Sequence, residues 1–150
     1  MSERINLGKA APKLYQAVAE LDRLATQAAK SAGLADGFSH LLRLRVSQIN
    51  QCAFCVRLHA RDALNNGETA DRLSVLPAWR ESGYFTEKER AALALAEAIT
   101  LIADGQVPDS VYAAAANSLS GEEISAVEWL AVVINTWNRI AISSRYPVSP

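Results

Sequence analysis

Only two of the 150 residues are cysteine, and the chain has one methionine, five prolines and seven glycines. Two cysteines are too few for the disulfide framework of a small secreted domain. So little proline and glycine excludes a collagen-like or linker-like chain. An excess of charge is missing as well. Lys plus Arg number 15 and Asp plus Glu 16, which leaves a net charge of −1. A general nucleic-acid binder needs a basic surplus, so no nucleic-acid partner is expected. No stretch of about 20 residues is free enough of charge to span a membrane. The longest apolar region, 124–142, is broken by Glu128, Asn135, Asn138 and Arg139. Residues 1–6 show no apolar run of a signal peptide, so a cytoplasmic protein is expected. Neither GxGxxG nor a Walker pattern occurs, and no nucleotide cofactor is expected.

What is present is helical periodicity. Half the residues (50%) are hydrophobic, and about 150 residues make one domain, here 1–150. Leu14, Val18, Leu21, Ala25 and Ala28 step by 4, 3, 4 and 3 and form one apolar stripe. Pro12 opens that helix and Gly33 ends it. A second helix is predicted over about 38–50, with Leu42, Val46 and Ile49 inward. A third starts near Cys52 and stops at Asn65-Asn66-Gly67. Glu68 to Leu76 forms a short helix that Pro77 interrupts. Thr86 and Glu89 read as a capping box ahead of a helix through about Ala103. Pro108 opens another short helix. Ser120 and Glu123 form a second capping box before a helix that is apolar nearly all round. Such a helix lies deep in a core or at a subunit interface. Nothing alternates with period two, so the expected fold is all-α.

One constellation carries chemistry. Asn50-Gln51-Cys52-Ala53-Phe54-Cys55-Val56-Arg57-Leu58-His59 holds both cysteines and one of the two histidines. On a helix, offsets of three and four put Cys52, Cys55 and His59 on one face. A helix starting near Cys52 favours a thiolate through its dipole and free N–H groups. His59 can then take the thiol proton. Three arrangements satisfy these residues. One is a redox-active dithiol with an attacking and a resolving sulfur. Another is a zinc site made by Cys52, Cys55, His59 and His40, although structural zinc ligands usually sit on turns or separate elements. The third is two buried cysteines beside a histidine bonded to a carbonyl.

The segment Leu44-Arg45-Val46-Ser47-Gln48-Ile49-Asn50-Gln51-Cys52-Ala53-Phe54-Cys55, followed by His59, resembles the core motif of the alkylhydroperoxidase D-like (AhpD-like) proteins. These share a superfamily with the carboxymuconolactone decarboxylases. The resemblance continues through Trp79-Arg80-Glu81-Ser82, Glu89 to Ala98, and Ile134-Asn135-Thr136-Trp137-Asn138-Arg139, and so covers about 38–142. It implies an all-α helical bundle that assembles as a trimer or hexamer. It implies a peroxidatic Cys55, a resolving Cys52 and a proton-relaying His59. It implies an external dithiol reductant, such as a lipoyl- or thioredoxin-like protein, and no resident cofactor or metal. Two other activities stay open: a dithiol sensor or scaffold that does not turn over peroxide, and a lyase of the carboxymuconolactone type.

The sequence departs from that family at one position. The family's relay usually includes a glutamate twelve residues before the first cysteine, and here that position is His40. A carboxylate would fix the partner imidazole's tautomer and stabilise its charged form. His40 can share or modulate the proton path but supplies no anion, so peroxidase turnover depends on what takes over that role. Glu97, on another helix, is a possible supporting acid. Asp62, three residues after His59, is a weaker one. Arg43, Arg45 and Arg57 flank the thiol region and are expected mainly on solvated faces or in subunit salt bridges. Trp79, Trp129 and Trp137 are expected as core or interface anchors.

Overall fold

The structure is a computed structural model and describes residues 3–150. Met1 and Ser2, at the start of the stretch scanned for a leader, lie outside it. The described residues form eight α-helices and no strand. They are α1 (Leu7–Ala10), α2 (Pro12–Ser31), α3 (Asp36–Ile49), α4 (Ala53–Asn65), α5 (Ala70–Val75), α6 (Glu87–Thr100), α7 (Asp109–Ser118) and α8 (Gly121–Ser143). A 3-10 segment, Leu76–Glu81, carries Pro77 directly after α5.

The helix ends follow local chemistry. Pro12 sits in the first turn of α2. The helix closes in a Schellman arrangement, with Gly33 at φ 89° and its N–H bonded to the Lys30 carbonyl. The Leu34 N–H reaches back to the Ala29 carbonyl. Ser120 and Glu123 form a reciprocal capping box on α8. At α6 only half of the expected box forms. The Thr86 hydroxyl accepts from the Glu89 N–H at 3.2 Å, but the Glu89 carboxylate is held by Arg72 at 2.6 Å. A charged guanidinium is a stronger donor than a backbone amide, so it wins the carboxylate. The same helix stops at Thr100 rather than near Ala103, in a turn where Gly105 takes φ 94°.

At the centre, α3 packs against α4, α6 and α8, while α2 lies along α8. Leu41, Leu42, Leu44 and Val46 of α3 meet Leu93 and Leu95 of α6 and Val127, Leu130 and Ile134 of α8 in one buried core. A polar seam crosses it. Asn138 of α8 is wholly buried, and its amide donates to the Ser47 Oγ at 3.0 Å. The Asn50 amide donates to Asn138 and to Asn135, each at 2.9 Å. The predicted apolar wrap of α8 is therefore incomplete on its inner side. On its outer side Trp129 and Val132 stay exposed, at 49% and 41%.

Gly37 brings the start of α3 against the end of α4. A Cβ there would stand 2.6 Å from the Asn66 carbonyl oxygen, a backbone atom that cannot rotate away. Alanine gains up to about 1 kcal/mol of helix propensity over glycine. Overpacking costs about 1–3 kcal/mol and decides the sign. Gly37→Ala is expected to lower the urea midpoint at unchanged m-value, and an unchanged or raised midpoint would show that the two helices separate freely.

Candidate active site

The α3–α4 junction makes the site. Asn50 ends α3, Gln51 takes a left-handed φ of 56°, and Cys52 becomes the N-cap of α4. The helix thus starts where the sequence places it, with Cys52 at its cap rather than inside its first turn. The Cys52 Sγ accepts the Cys55 N–H at 3.4 Å. The two cysteines are joined as a disulfide, with Cα atoms 5.3 Å apart and both side chains buried. The sulfurs therefore bind each other, and the zinc set that includes them is not the arrangement seen. Cys55 occupies the third position of α4, where the first-turn N–H groups and the helix dipole favour negative charge on sulfur.

Beside this pair lies a cavity of about 210 Å³. Tyr15 and Asp22 of α2, Phe54, Cys55, Leu58 and His59 of α4, Trp137 and Ala141 of α8, and Tyr146 of the tail line it. Two edge-to-face aromatic pairs shape its walls. Tyr15 meets Trp137 at 5.1 Å, and Phe54 meets Tyr146 at 5.2 Å between ring centroids. Arg57 donates to the Ser149 carbonyl at 2.8 Å, which fastens the tail near Tyr146. Cys55 and His59, one turn apart, share this cavity.

His59 is buried, and its Nδ1 lies 3.3 Å from the Nδ1 of His40 on α3. The ring centroids are 5.6 Å apart with planes inclined by 26°. The centroid spacing exceeds the nitrogen spacing by nearly two ring radii. The nitrogens therefore point head to head, and the rings are edge to edge. Burial, with smaller contributions from Arg43 and His40, pushes His59 down to about 3. Burial and Arg43 also lower His40. Both rings are neutral at pH 7, so one Nδ1 carries a hydrogen and the other accepts it. That engagement leaves Nε2 of His59 for the cavity. Asp62 Oδ2 stands 3.9 Å from His40 Nδ1.

The acidic groups sort differently from the sequence expectation. Glu97 is held by Arg45 at 2.7 Å, by Trp79 Nε1 at 2.8 Å and by Arg80. Burial pushes its carboxyl up, but these hydrogen bonds outweigh it and hold it below the usual range. Glu97 clamps α3, α6 and the 3-10 segment together, and its carboxylate is taken up by Arg45, Trp79 and Arg80 rather than by either histidine, so it is not their supporting acid. Asp62 is the carboxylate beside the pair. The arginines also depart from solvated faces. Arg43 is 4% exposed and bonds Asp22 and Thr26 inside the chain, while Arg45 is taken by Glu97. Trp79 is a buried anchor, Trp137 lines the cavity and Trp129 is exposed. Nothing local in the sequence marks the cavity aromatics as a group. Tyr15 and Trp137 are distant in sequence, and only the packing of α2 on α8 brings them together.

Comparison with known proteins gives a consistent family context. Residues 12–98 match the carboxymuconolactone decarboxylase family. The uncharacterized protein YdfG of Bacillus subtilis is 34% identical over 143 residues, 95% of each chain. The uncharacterized protein YnjA of Escherichia coli is 33% identical over 61 residues, 41% of this chain and 34% of that one. A crystal structure from Agrobacterium tumefaciens superimposes with a TM-score of 0.87 at 39% identity, over 99% of this chain and 100% of that one. That protein is described as of unknown function and as a candidate antioxidant defence protein AhpD.

The neutral histidine pair has a pH signature. The unfolded chain protonates His59 near pH 6.5, but the folded chain does so only near 3. The unfolded state therefore binds more protons throughout that window, and stability falls as pH falls from 6.5 towards 3. Above 6.5 the effect is absent. Between pH 7 and 5, urea unfolding of the disulfide form is expected to lose about 2 kcal/mol through His59, at roughly 1.4 kcal/mol per proton and pH unit. His59→Gln should remove most of that slope. An equal slope in the variant would show that His59 is charged in the folded protein.

Proposed function

Because the chain belongs to the carboxymuconolactone decarboxylase family, we propose that it is a thiol-dependent oxidoreductase reducing hydroperoxides through a Cys52–Cys55 redox pair. The observation that carries this reading is a disulfide at a helix N-terminus, opening beside His59 on an apolar cavity. Family resemblance and the AhpD-like neighbour add to it.

In the reduced protein the Cys55 thiol gives its proton to His59 Nε2. For this, His59 carries its own hydrogen on Nδ1 and donates it to His40 Nδ1. The neutral His40 thus orients the base as a hydrogen-bond acceptor, the task that a carboxylate performs elsewhere. As His59 gains the second proton, its Nδ1 proton can move towards His40, and Asp62 offsets the charge that develops. The Cys55 thiolate attacks the distal peroxide oxygen. A sulfur–oxygen bond forms, the oxygen–oxygen bond breaks, and the leaving alkoxide takes the proton held by the histidines. The products are an alcohol and a Cys55 sulfenic acid. Cys52 then attacks that sulfur. A disulfide forms, and the sulfenic hydroxyl leaves as water with the Cys52 proton. An external dithiol, of lipoyl- or thioredoxin-like type, returns two electrons by thiol–disulfide exchange.

The rest of the proposal concerns setting. No described helix is long and apolar enough to cross a membrane, and we place the protein in the cytoplasm, where such reductants work. The exposed Trp129 and Val132 on α8 suit a contact with further copies of the chain, in a trimer or hexamer.

Mixing the reduced protein with an organic hydroperoxide and counting free thiols tests this reading. Both thiols of the wild type should disappear for one peroxide consumed. Cys52→Ser should stop at a sulfenic acid that dimedone traps, and Cys55→Ser should react no faster than free cysteine. His59→Gln should slow oxidation by about 10²–10⁴, the usual contribution of a positioned base. Wild-type thiols that survive like those of free cysteine would overturn the proposal. Oxidation in one turnover without steady consumption of a dithiol reductant would identify a sensor instead.

A further inference from the structure

His40, His59 and Asp62 bring three ligand-type atoms together from two helices. The Nδ1 atoms are 3.3 Å apart, and Asp62 Oδ2 is 3.9 Å from His40 Nδ1. One donor atom from each residue lies within 4.8 Å of the other two. Zinc binds imidazole nitrogen at about 2.0–2.1 Å and carboxylate oxygen at about 2.0–2.2 Å, in tetrahedral order. Two nitrogens so bound stand roughly 3.3–3.4 Å apart, which is the spacing already present here. The carboxylate must come about half an ångström nearer His40 Nδ1, and up to about 1.4 Å nearer the His59 nitrogen, to join them. We propose that His40, His59 and Asp62 form a binding site for one divalent transition-metal ion of the zinc class.

The donor chemistry agrees. Two imidazoles and one carboxylate suit zinc or copper, whereas calcium and magnesium want an oxygen cage. Metal binds imidazole through the neutral ring, so loading would release any proton the pair held. The nearby Arg43 is engaged by Asp22 at 3.1 Å, so its charge is partly offset. At present the two nitrogens face head to head across a shared hydrogen. Loading turns each ring about its Cβ–Cγ bond until the lone pairs converge on the ion. Three protein ligands leave the fourth position to water.

The ion and the shared hydrogen exclude each other. A metal on Nδ1 of a neutral His59 puts the ring's only hydrogen on Nε2. That nitrogen can then donate but cannot accept the thiol proton. Loading therefore silences the base, a consequence that rests on the role proposed for His59, whereas binding itself does not.

The disulfide form offers no thiol to the ion, so zinc chloride titrated into it by calorimetry reports this site alone. One ion per chain at micromolar affinity or tighter is expected. Residues that merely support ligands are worth about 10–100-fold in affinity. His40→Ala and the near-isosteric Asp62→Asn should each cost at least that, with circular dichroism confirming the fold. Wild-type affinity no better than millimolar, or unchanged affinity in both variants, would overturn the site. The second arm follows peroxide oxidation of Cys55 in a Cys52→Ser background. Zinc should slow it, and adding His40→Ala should abolish the zinc effect. Tight binding with no slowing upholds the metal site and removes His59 as the base.

Discussion

The amide of Asn138, buried in α8 without solvent exposure, accepts from Asn50 and donates to Ser47 at the last turn of α3. Ser47 in turn donates to the Arg43 carbonyl. Each of these groups would be stranded if its partner moved, and a stranded buried donor or acceptor costs about 1–3 kcal/mol. The seam therefore fixes where α3 ends. Two residues later Cys52 caps α4, after Gln51 has turned the chain through a left-handed conformation. The position of the sulfurs follows from hydrogen bonds in α8, far away in sequence. A purely apolar contact could slide along the helix axis, but three directional bonds fix the register.

On the proposed mechanism, the histidine pair would keep a relay without the family's usual acid. A carboxylate at position 40 would orient His59 by charge. His40 orients it by tautomer, because its Nδ1 can accept a hydrogen bond at 3.3 Å while neutral. Burial keeps both rings uncharged at rest. The arrangement avoids a permanent buried anion, which a low-dielectric site would penalise. Asp62 lies beside the pair in a partly exposed position, its side chain 37% exposed.

Much of this was legible in the sequence, for local reasons. Helix starts at Pro12 and Ser120 and stops at Gly33 and Gly67 follow from backbone chemistry that acts over a few residues. That Cys55 and His59 line one cavity follows from one helical turn. The helix start near Cys52 is met by the N-cap there, but the left-handed turn at Gln51 that sets it is not legible locally, because it follows the seam through Asn138. Glu97 was misjudged because an Ala/Leu-rich helix does not reveal which guanidinium it will meet. Arg45 and Arg80 come from two other elements. Arg43 looked like a surface cation for the same reason, since its partners Asp22 and Thr26 sit on α2.

These pieces share one electrostatic logic. Charge is settled away from the sulfurs before any reaction begins. Glu97 is consumed by Arg45 and Arg80, and Arg43 is paired with Asp22. What remains at the cavity is the neutral His59 with His40 behind it, Asp22 paired to Arg43, apolar and aromatic walls, and the N-terminus of α4. A thiolate formed there meets few fixed counter-charges, so the dipole and the free N–H groups of α4 bear most of its stabilisation. In the proposed mechanism the site reacts only while His59 can accept a proton. The Nδ1–Nδ1 contact decides that, because whichever ring donates across it determines whether His59 Nε2 faces the cavity as a base or as a donor.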